Sequence, residues 1–371
     1  MKFRCSQQAL SKALNTVSKA VSNRTTLSVL KGILLNATSD GTLLITASDL
    51  EISIKKEIEA SVEEGGSAVV ISKLFCDIIR KLPNEEILIE KNENNAVTIK
   101  TNYSEFEVVC LPVEEFPKIG EKEEESKKII FDKEIFREMV RKTSFAASID
   151  ESKGVLTGIY TEINEEDINM VALDGFRLAL VNEKIKSEAS SSFIISSKGM
   201  NEISKIASEE DEEEDIEIYL GKKKAVFIIG KTEIILRIME GEYIKYRDII
   251  PADSLTTTVV GTDVFIESIE RASLLAKEGK NNLIKMSIKE DLLTITSRSE
   301  EGTVKEEIAI EKTGNDLDIG FNSKFVIDVM KAIDDEKISF HFKNGISPCV
   351  VKPIEGDSYE YLILPVRIPS M

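Results

Sequence analysis

The 371-residue chain has no tryptophan, a single histidine and only 6% aromatic residues. The histidine, His341, lies in KISFHFKNG, whose alternation reads as a strand and gives the ring a structural place. That removes the commonest general base from consideration. The four cysteines, Cys5, Cys76, Cys110 and Cys349, show no C-x-x-C spacing, so they fit reduced thiols rather than a disulfide or zinc framework. The opening MKFRCSQQAL lacks the apolar core of a signal peptide, and no 18 consecutive apolar residues occur, so a cytoplasmic chain without a membrane span is expected. Walker, G-x-G-x-x-G, H-E-x-x-H and G-x-S-x-G motifs are missing, and neither a metal nor a cofactor is expected. Carboxylates are plentiful, which keeps one catalytic alternative open: a carboxylate-dependent enzyme acting on nucleic acid, built on a repeated α/β scaffold.

Positive charge is scarce in sum but not everywhere. The formal net charge is -18, yet residues 1–39 hold six lysines and arginines and no acid. The acid is concentrated in runs such as EKEEES (121–126) and EEDEEED (209–215), which read as solvated linker and loop because an unbroken run cannot turn every carboxylate toward one ion.

What the chain does have is repetition. LKGILLNATSDGTLLITASDLEISI (30–54) and LTGIYTEINEEDINMVALDGFRLAL (156–180) share L-x-G-I and a closing alternation at an offset of 126 residues, and LIKMSIKEDLLTITSRSEEGTVKEEI (283–308) is a third copy. Each follows a short strand and an amphipathic helix. A second family begins at SAVVISKLFCDIIRKLP, SSFIISSKGMNEISKIAS and LDIGFNSKFVIDVMKAID, again strand then helix, with short alternating strands behind. The pattern predicts an α+β chain of six β-α-β-β-β units in three tandem domains, 1–126, 127–253 and 254–371. In this frame Ser48-Asp49-Leu50-Glu51 aligns with Asp174-Gly175-Phe176-Arg177, both hairpin corners, and the architecture does not require Phe-Arg at the second.

Helices are expected over 6–24, 72–83, 132–148, 196–208, 262–280 and 322–337; together they carry 18 basic and 13 acidic residues, a net +5 that leaves -23 for the rest. At ~100° per residue, Lys12 and Lys19 lie opposite Leu10, Ala13, Leu14, Val17 and Val21. Lys73 and Arg80 oppose Leu74, Phe75, Ile78, Ile79 and Leu82; Lys198 and Lys205 oppose Met200, Ile203 and Ala207; Lys324 and Lys331 oppose Phe325, Val326, Val329 and Ile333. The third helix shows Arg137 and Arg141; the fifth instead exposes Glu267, Arg271 and Leu274. A shared, weakly basic helical surface facing a polyanion accounts for this better than chance. Six helices side by side close a circle with a hole of only ~9 Å, whereas twelve leave ~28 Å, enough for a duplex of ~20 Å and water. Two chains meeting head to tail would close such a ring by twofold symmetry.

The order MKF, NRTTLSVLKGILL, ASDLEI, RKLP, ALDGFRLAL, GEYIKYRDIIP, GFNSKFVIDVM and YLILPVRIP resembles, in register over the whole chain, the bacterial beta sliding clamp family, the beta subunit of DNA polymerase III. The resemblance implies three tandem clamp domains and a six-domain homodimeric ring that encircles duplex DNA without regard to sequence and has no catalysis of its own. It also implies a nucleoid-associated role as a processivity factor for replicative and repair polymerases. The implied partners are the DNA polymerase III alpha subunit, clamp-loader subunits, and other polymerases and repair proteins bearing short Gln-Leu-x-Leu-Phe motifs.

Carried over by position, the family's peptide cleft falls on Leu156, Leu173, Gly175, Phe176, Arg177, Leu178, Ile244, Asp248, Ile249, Leu362, Leu364, Pro365, Val366 and Arg367. Arg177 and Arg367, unlike the Leu and Ile members, are expected to face the ligand rather than a core. DNA contacts fall on Arg24 and on Lys153 beside Asp150, in addition to the helix cations. The dimer edge falls on Ile78, Phe106 and Val108 against Leu274 and Leu275 of the second copy, which gives the anomalous fifth helix a partner. The sequence departs from the family pattern at Phe176, Ile244 and Asp248, where His, Pro and Arg are frequent, and continues as IPSM past the usual ending.

Overall fold

The computed structural model describes residues 1–22, 25–185, 190–209 and 215–368. Within these residues, six α-helices each follow one strand and precede three antiparallel strands, the six-unit order read from the repeats. The helices are α1 (Gln7–Val17), α2 (Ser72–Lys81), α3 (Lys133–Ser144), α4 (Ser197–Glu209), α5 (Thr262–Glu278) and α6 (Ser323–Met330). Two short extra strands, Ser61–Glu64 and Glu311–Gly314, pair with the leading strands of the first and third domains.

Three helices are clearly shorter than their apolar periodicity predicts, α3 ending at Ser144 rather than at 148. α1 ends at Val17, where Ser18 donates its hydroxyl to Asn15 O and the chain tightens into a 3-10 turn through Ala20. α6 stops at Met330, ahead of Asp334, Asp335 and Glu336, whose charges oppose the negative end of a helix dipole. α6 starts on a side-chain cap, Lys324 N donating to Asn322 Oδ1 at 3.0 Å.

The chain divides into two compact units, Met1–Glu134 with Glu202–Ile238, and Ile135–Asn201 with Met239–Met371. The first contains a 13-stranded sheet, the second a 9-stranded and a 4-stranded sheet. The central domain contributes to both because its strands extend its neighbours' sheets. In the first unit Thr232–Arg237 pairs antiparallel with Ile52–Glu59, placing Ile234 opposite Ile54. In the second, Arg177–Lys184 pairs with Tyr359–Ile363, placing Leu178 opposite Leu362.

Each helix buries one stripe against its sheet. Leu10, Ala13, Leu14 and Val17 of α1 are enclosed, as are Phe75 and Ile79 of α2. The expected stripe of α2 also included Leu74 and Ile78, but Leu74 is exposed and Ile78 only half-buried. α5 buries Phe265, Ile269, Ala272 and Ala276, with the Phe265 ring 4.9 Å from that of Phe340 at 55°.

The register at the repeated corner differs from the sequence alignment by one residue. Asp174 Oδ1 accepts the amides of Phe176 and Arg177, and Gly175 takes φ +93°. In the sister unit the same bonds run from Glu51 and Ile52 to Asp49, and Leu50 takes φ +77°. Asp49, not Ser48, therefore matches Asp174, the hairpin between having lost one residue. Leu50 bears a conformation that glycine adopts freely.

Phe265→Ala empties a fully enclosed site and is expected to lower stability by about 3–5 kcal/mol, seen as a lower urea midpoint at unchanged slope.

Candidate functional site

The corner at Asp174 is tied into α6. Arg177, expected to face a ligand, is instead only 8% exposed. Its Nη1 lies 2.5 Å from Asp328 Oδ2 and its Nε 3.1 Å from Asp174 Oδ2. The guanidinium carbon sits 5.3 Å from the Phe145 ring centroid and 4.9 Å from that of Phe325. Arg177 is thus a structural fastening with two carboxylates and two rings, which corrects its reading as a free pocket edge. Its neighbour Phe176 stays 54% exposed and stacks on Phe325, ring centroids 5.7 Å apart at 20°.

Around this corner the structure gathers much of the expected cleft. Leu173, Leu178 and Leu362 form a buried cluster with Val171 and Tyr246, and Leu156 and Leu364 pack against it half-buried. The three leucines are therefore floor. Accessible apolar surface comes from Phe176, Ile244 and Ile249, with half-buried Pro365 and Val366 continuing along the C-terminal segment. That segment is pinned at both sides: Leu364 N donates to Phe176 O and Val366 N to Gly320 O, each at 2.8 Å. Gly320 is required there, since an added Cβ would lie 2.7 Å from Val366 O. Gly175, Asp248 and Arg367 are exposed.

Sequence reasoning missed the tyrosines beneath this surface. Tyr160 and Tyr243 stack at 5.1 Å, and Tyr246 donates to Glu162 Oε2 at 3.0 Å, which Arg247 also reaches at 2.7 Å. Burial raises the phenol pKa values of Tyr243 and Tyr246. It missed Phe325 and Asp328 as corner partners too, because the helical pattern assigns Phe325 to its own domain's core.

The helices present their cations as expected, in attenuated form. Lys12, Lys73, Lys198 and Lys324 are exposed. The second member of each pair meets a carboxylate: Lys19 with Glu209 at 2.5 Å, Arg80 with Asp77, Lys205 with Glu202 at 2.8 Å, Lys331 with Glu270 at 3.3 Å. On α3, Arg141 pairs with Glu138 at 2.8 Å and with Asp334, and Arg137 is half-buried. Such surface pairs are worth about 0–1 kcal/mol and exchange readily for another anion. A groove of about 770 Å³ between α1 and α2 is lined by Lys12, Lys73 and Arg80 with Asn15, Ser18 and Asp77. Lys153 donates to Asp174 O at 2.7 Å and lies 5.5 Å from the Phe176 ring, so the corner engages it. Arg24 falls outside the described residues. His341 has the structural place expected, half-buried with Nε2 3.0 Å from Ser339 Oγ; burial lowers its pKa.

Family models for the DNA polymerase III beta subunit match the chain in three consecutive pieces: the N-terminal domain over residues 1–120, the central domain over 130–245 and the C-terminal domain over 247–367. The beta sliding clamp of Staphylococcus epidermidis is 35% identical over 99% of both chains. The chain belongs to the beta sliding clamp family. Among solved structures, the sliding clamp of Bacillus subtilis has a TM-score of 0.95 at 32% identity over 100% of both chains. The Thermotoga maritima beta subunit has a TM-score of 0.92 at 30% identity, over 99% of this chain and 100% of its own. As a family member the chain is a DNA polymerase processivity factor, not an enzyme, which sets aside the carboxylate-enzyme alternative.

In this clamp two of the strand edges left open among the described residues adjoin the residues expected at a dimer contact. Glu105–Leu111 pairs along its length with Ala96–Lys100, while its other side touches a strand only at Cys110 and Leu111. Thr303–Ala309 ends the four-stranded sheet. Beside the first edge Phe106 is 40% and Val109 74% exposed; on α5, Leu274 is 65% exposed and Leu275 half-buried. Val108, an expected interface residue, is 5% exposed because strand alternation turns it inward with Cys110. Val109 takes the outward position.

Glu162 gives the Tyr246 and Arg247 turn a pH dependence. Its pKa is lowered, chiefly by the Arg247 hydrogen bond and then by that of Tyr246. Its contribution is complete above the ordinary glutamate value of 4.5 and is lost as pH falls through the depressed value. Stability should rise with pH across that window more steeply in the parent than in Glu162→Gln, as read by thermal midpoints at stepped pH.

Proposed function

We propose that two copies of this clamp meet head to tail and close a ring around duplex DNA, with the six helices of each copy lining the hole. The observation that carries this reading is that, among several open strand edges, two unlike ones, one on each compact unit, adjoin the expected contact residues and exposed apolar side chains. Open edges invite strand addition. The Phe106 and Val109 edge of one copy would pair with the Thr303–Ala309 edge of the other, Ile78 and exposed Leu74 of α2 meeting Leu274 and Leu275. Two unlike surfaces that meet twice give twofold closure.

The attenuated lysine faces suit an encircled duplex. A ring held by topology needs no tight grip, and cations already half-engaged with carboxylates offer phosphates a shallow, sequence-blind attraction. The surface formed by Phe176, Ile244, Ile249, Leu364 and Val366 over its leucine floor would take the apolar side chains of short Gln-Leu-x-Leu-Phe motifs. These motifs would belong to the polymerase III alpha subunit, clamp-loader subunits, and other polymerases and repair proteins. A Pseudomonas aeruginosa clamp with 26% identity and a TM-score of 0.91 is known bound to griselimycin, which supports a ligand-binding surface on this fold.

Analytical ultracentrifugation at micromolar concentration should show a dimer, and Leu274→Asp or Phe106→Asp a monomer; an unchanged dimer places the interface elsewhere. Combined Lys12→Glu, Lys73→Glu, Lys198→Glu and Lys324→Glu changes should shorten retention of the loaded clamp on nicked circular DNA. Unchanged retention removes the basic lining from the reading.

A further inference from the structure

The geometry assigns Asp328 as a positioning residue for the peptide cleft: from α6 it orients Arg177, and through Arg177 and Phe325 it fixes the exposed ring of Phe176. The inference rests on the cleft reading given under Proposed function.

Asp328 follows Phe325 by three residues on α6, so the two side chains project to one side of the helix. Both meet the Asp174 corner, although Arg177 and Asp328 stand 151 residues apart in sequence. Asp174 cannot orient the guanidinium unaided. Its Oδ1 holds the amides of Phe176 and Arg177 at 2.8 and 3.1 Å, and its Oδ2 reaches only Nε. Asp328 supplies the second contact, to Nη1 at 2.5 Å, and two anchored nitrogens restrict rotation of the guanidinium about the first bond. The plane so fixed lies against Phe325, and Phe325 against Phe176. Neutralising Asp328 leaves a buried cation with one carboxylate and with only the two rings to limit its rotation, so the support of the ring stack loosens.

The functional consequence concerns ordering. Phe176 is the large apolar side chain that the corner offers to a ligand, and an exposed ring without support must be ordered as the ligand binds. Holding an interface side chain in its bound geometry beforehand saves that loss of freedom. Asp328 therefore contributes to peptide affinity without facing the peptide.

The test uses the full-length protein and a fluorescein-labelled peptide with the core Gln-Leu-Ser-Leu-Phe. Asp328→Asn, nearly isosteric, should weaken peptide binding by about tenfold, and Asp328→Glu should recover most of the loss. In an Arg177→Ala background Asp328→Asn should add nothing, since the two act as one unit. The absence of tryptophan makes Phe176→Trp a single reporter; Asp328→Asn should lower its fluorescence anisotropy while dimerisation and retention on circular DNA stay unchanged. If Asp328→Asn binds as the parent does while Phe176→Ser loses the peptide, the positioning role is wrong and the cleft reading survives. If neither change affects binding, both fall. Loss of peptide binding together with dimer or DNA retention, or with unaltered anisotropy, shows a general structural defect and also overturns the inference.

Discussion

The strand Ile52–Glu59 completes its hydrogen bonding with Thr232–Arg237, and Arg177–Lys184 completes its own with Tyr359–Ile363. Each pairing joins strands from different tandem domains, and the rest of the structure depends on it. A β-α-β-β-β unit has a sheet with two edges, and an edge unsatisfied by protein must be left to water or to another chain. Here two such edges are joined across domain boundaries, so the boundaries read from the repeats do not coincide with the compact units: the central domain divides between them. Among the edges left without an internal partner, Glu105–Leu111, open over most of its length, carries exposed Phe106 and Val109, and Thr303–Ala309 ends the four-stranded sheet of the unit whose α5 exposes Leu274. On the proposed reading a second copy would continue the sheet at these two edges, singled out from the other open ones by their apolar neighbours.

Strand pairing alone does not fix the corner at Asp174, since its ladder closes one residue short of the turn at Arg177 and Ile363. There a buried ion pair takes over. Two carboxylates around one guanidinium are an inefficient source of stability, because desolvation offsets most of the attraction. Their value is directional: a planar group with a donor on each side admits one orientation, whereas an apolar contact of equal size admits several. The Phe145 and Phe325 rings restrict it further.

Much of this was legible beforehand, and the failures have physical causes. Six units, their strand and helix order and the apolar stripes follow from alternation and repetition, which are local. The one-residue slip between Asp49 and Asp174 was hidden because an ungapped comparison cannot see a shortened hairpin, and Leu50 gives no glycine signal at its positive φ. Arg177 looked free because its partner Asp328 is remote in sequence and a lone arginine beside a turn resembles a ligand contact. Val108 was preferred to Val109 because a resemblance supplies positions, while the inward parity of the strand decides exposure. Leu173, Leu178 and Leu362 were correctly gathered at one place, but a pattern of leucines does not distinguish a floor from a wall.

The charge distribution joins these findings. A chain of net charge -18 repels nucleic acid at long range, and each helical cation pair has one member already facing a carboxylate. Affinity for phosphate therefore cannot be what keeps such a protein on DNA. If retention is topological, the burden moves to the closure between copies, and a stable interface of that kind usually covers some 1,200–2,000 Å². Few exposed apolar side chains are present beside the open edges, so backbone pairing between strands must supply much of the specificity there. Weak attraction inside the ring and strong pairing at its joints are then two consequences of one arrangement: cations diluted by acid on the helices, and unsatisfied backbone concentrated at the edges.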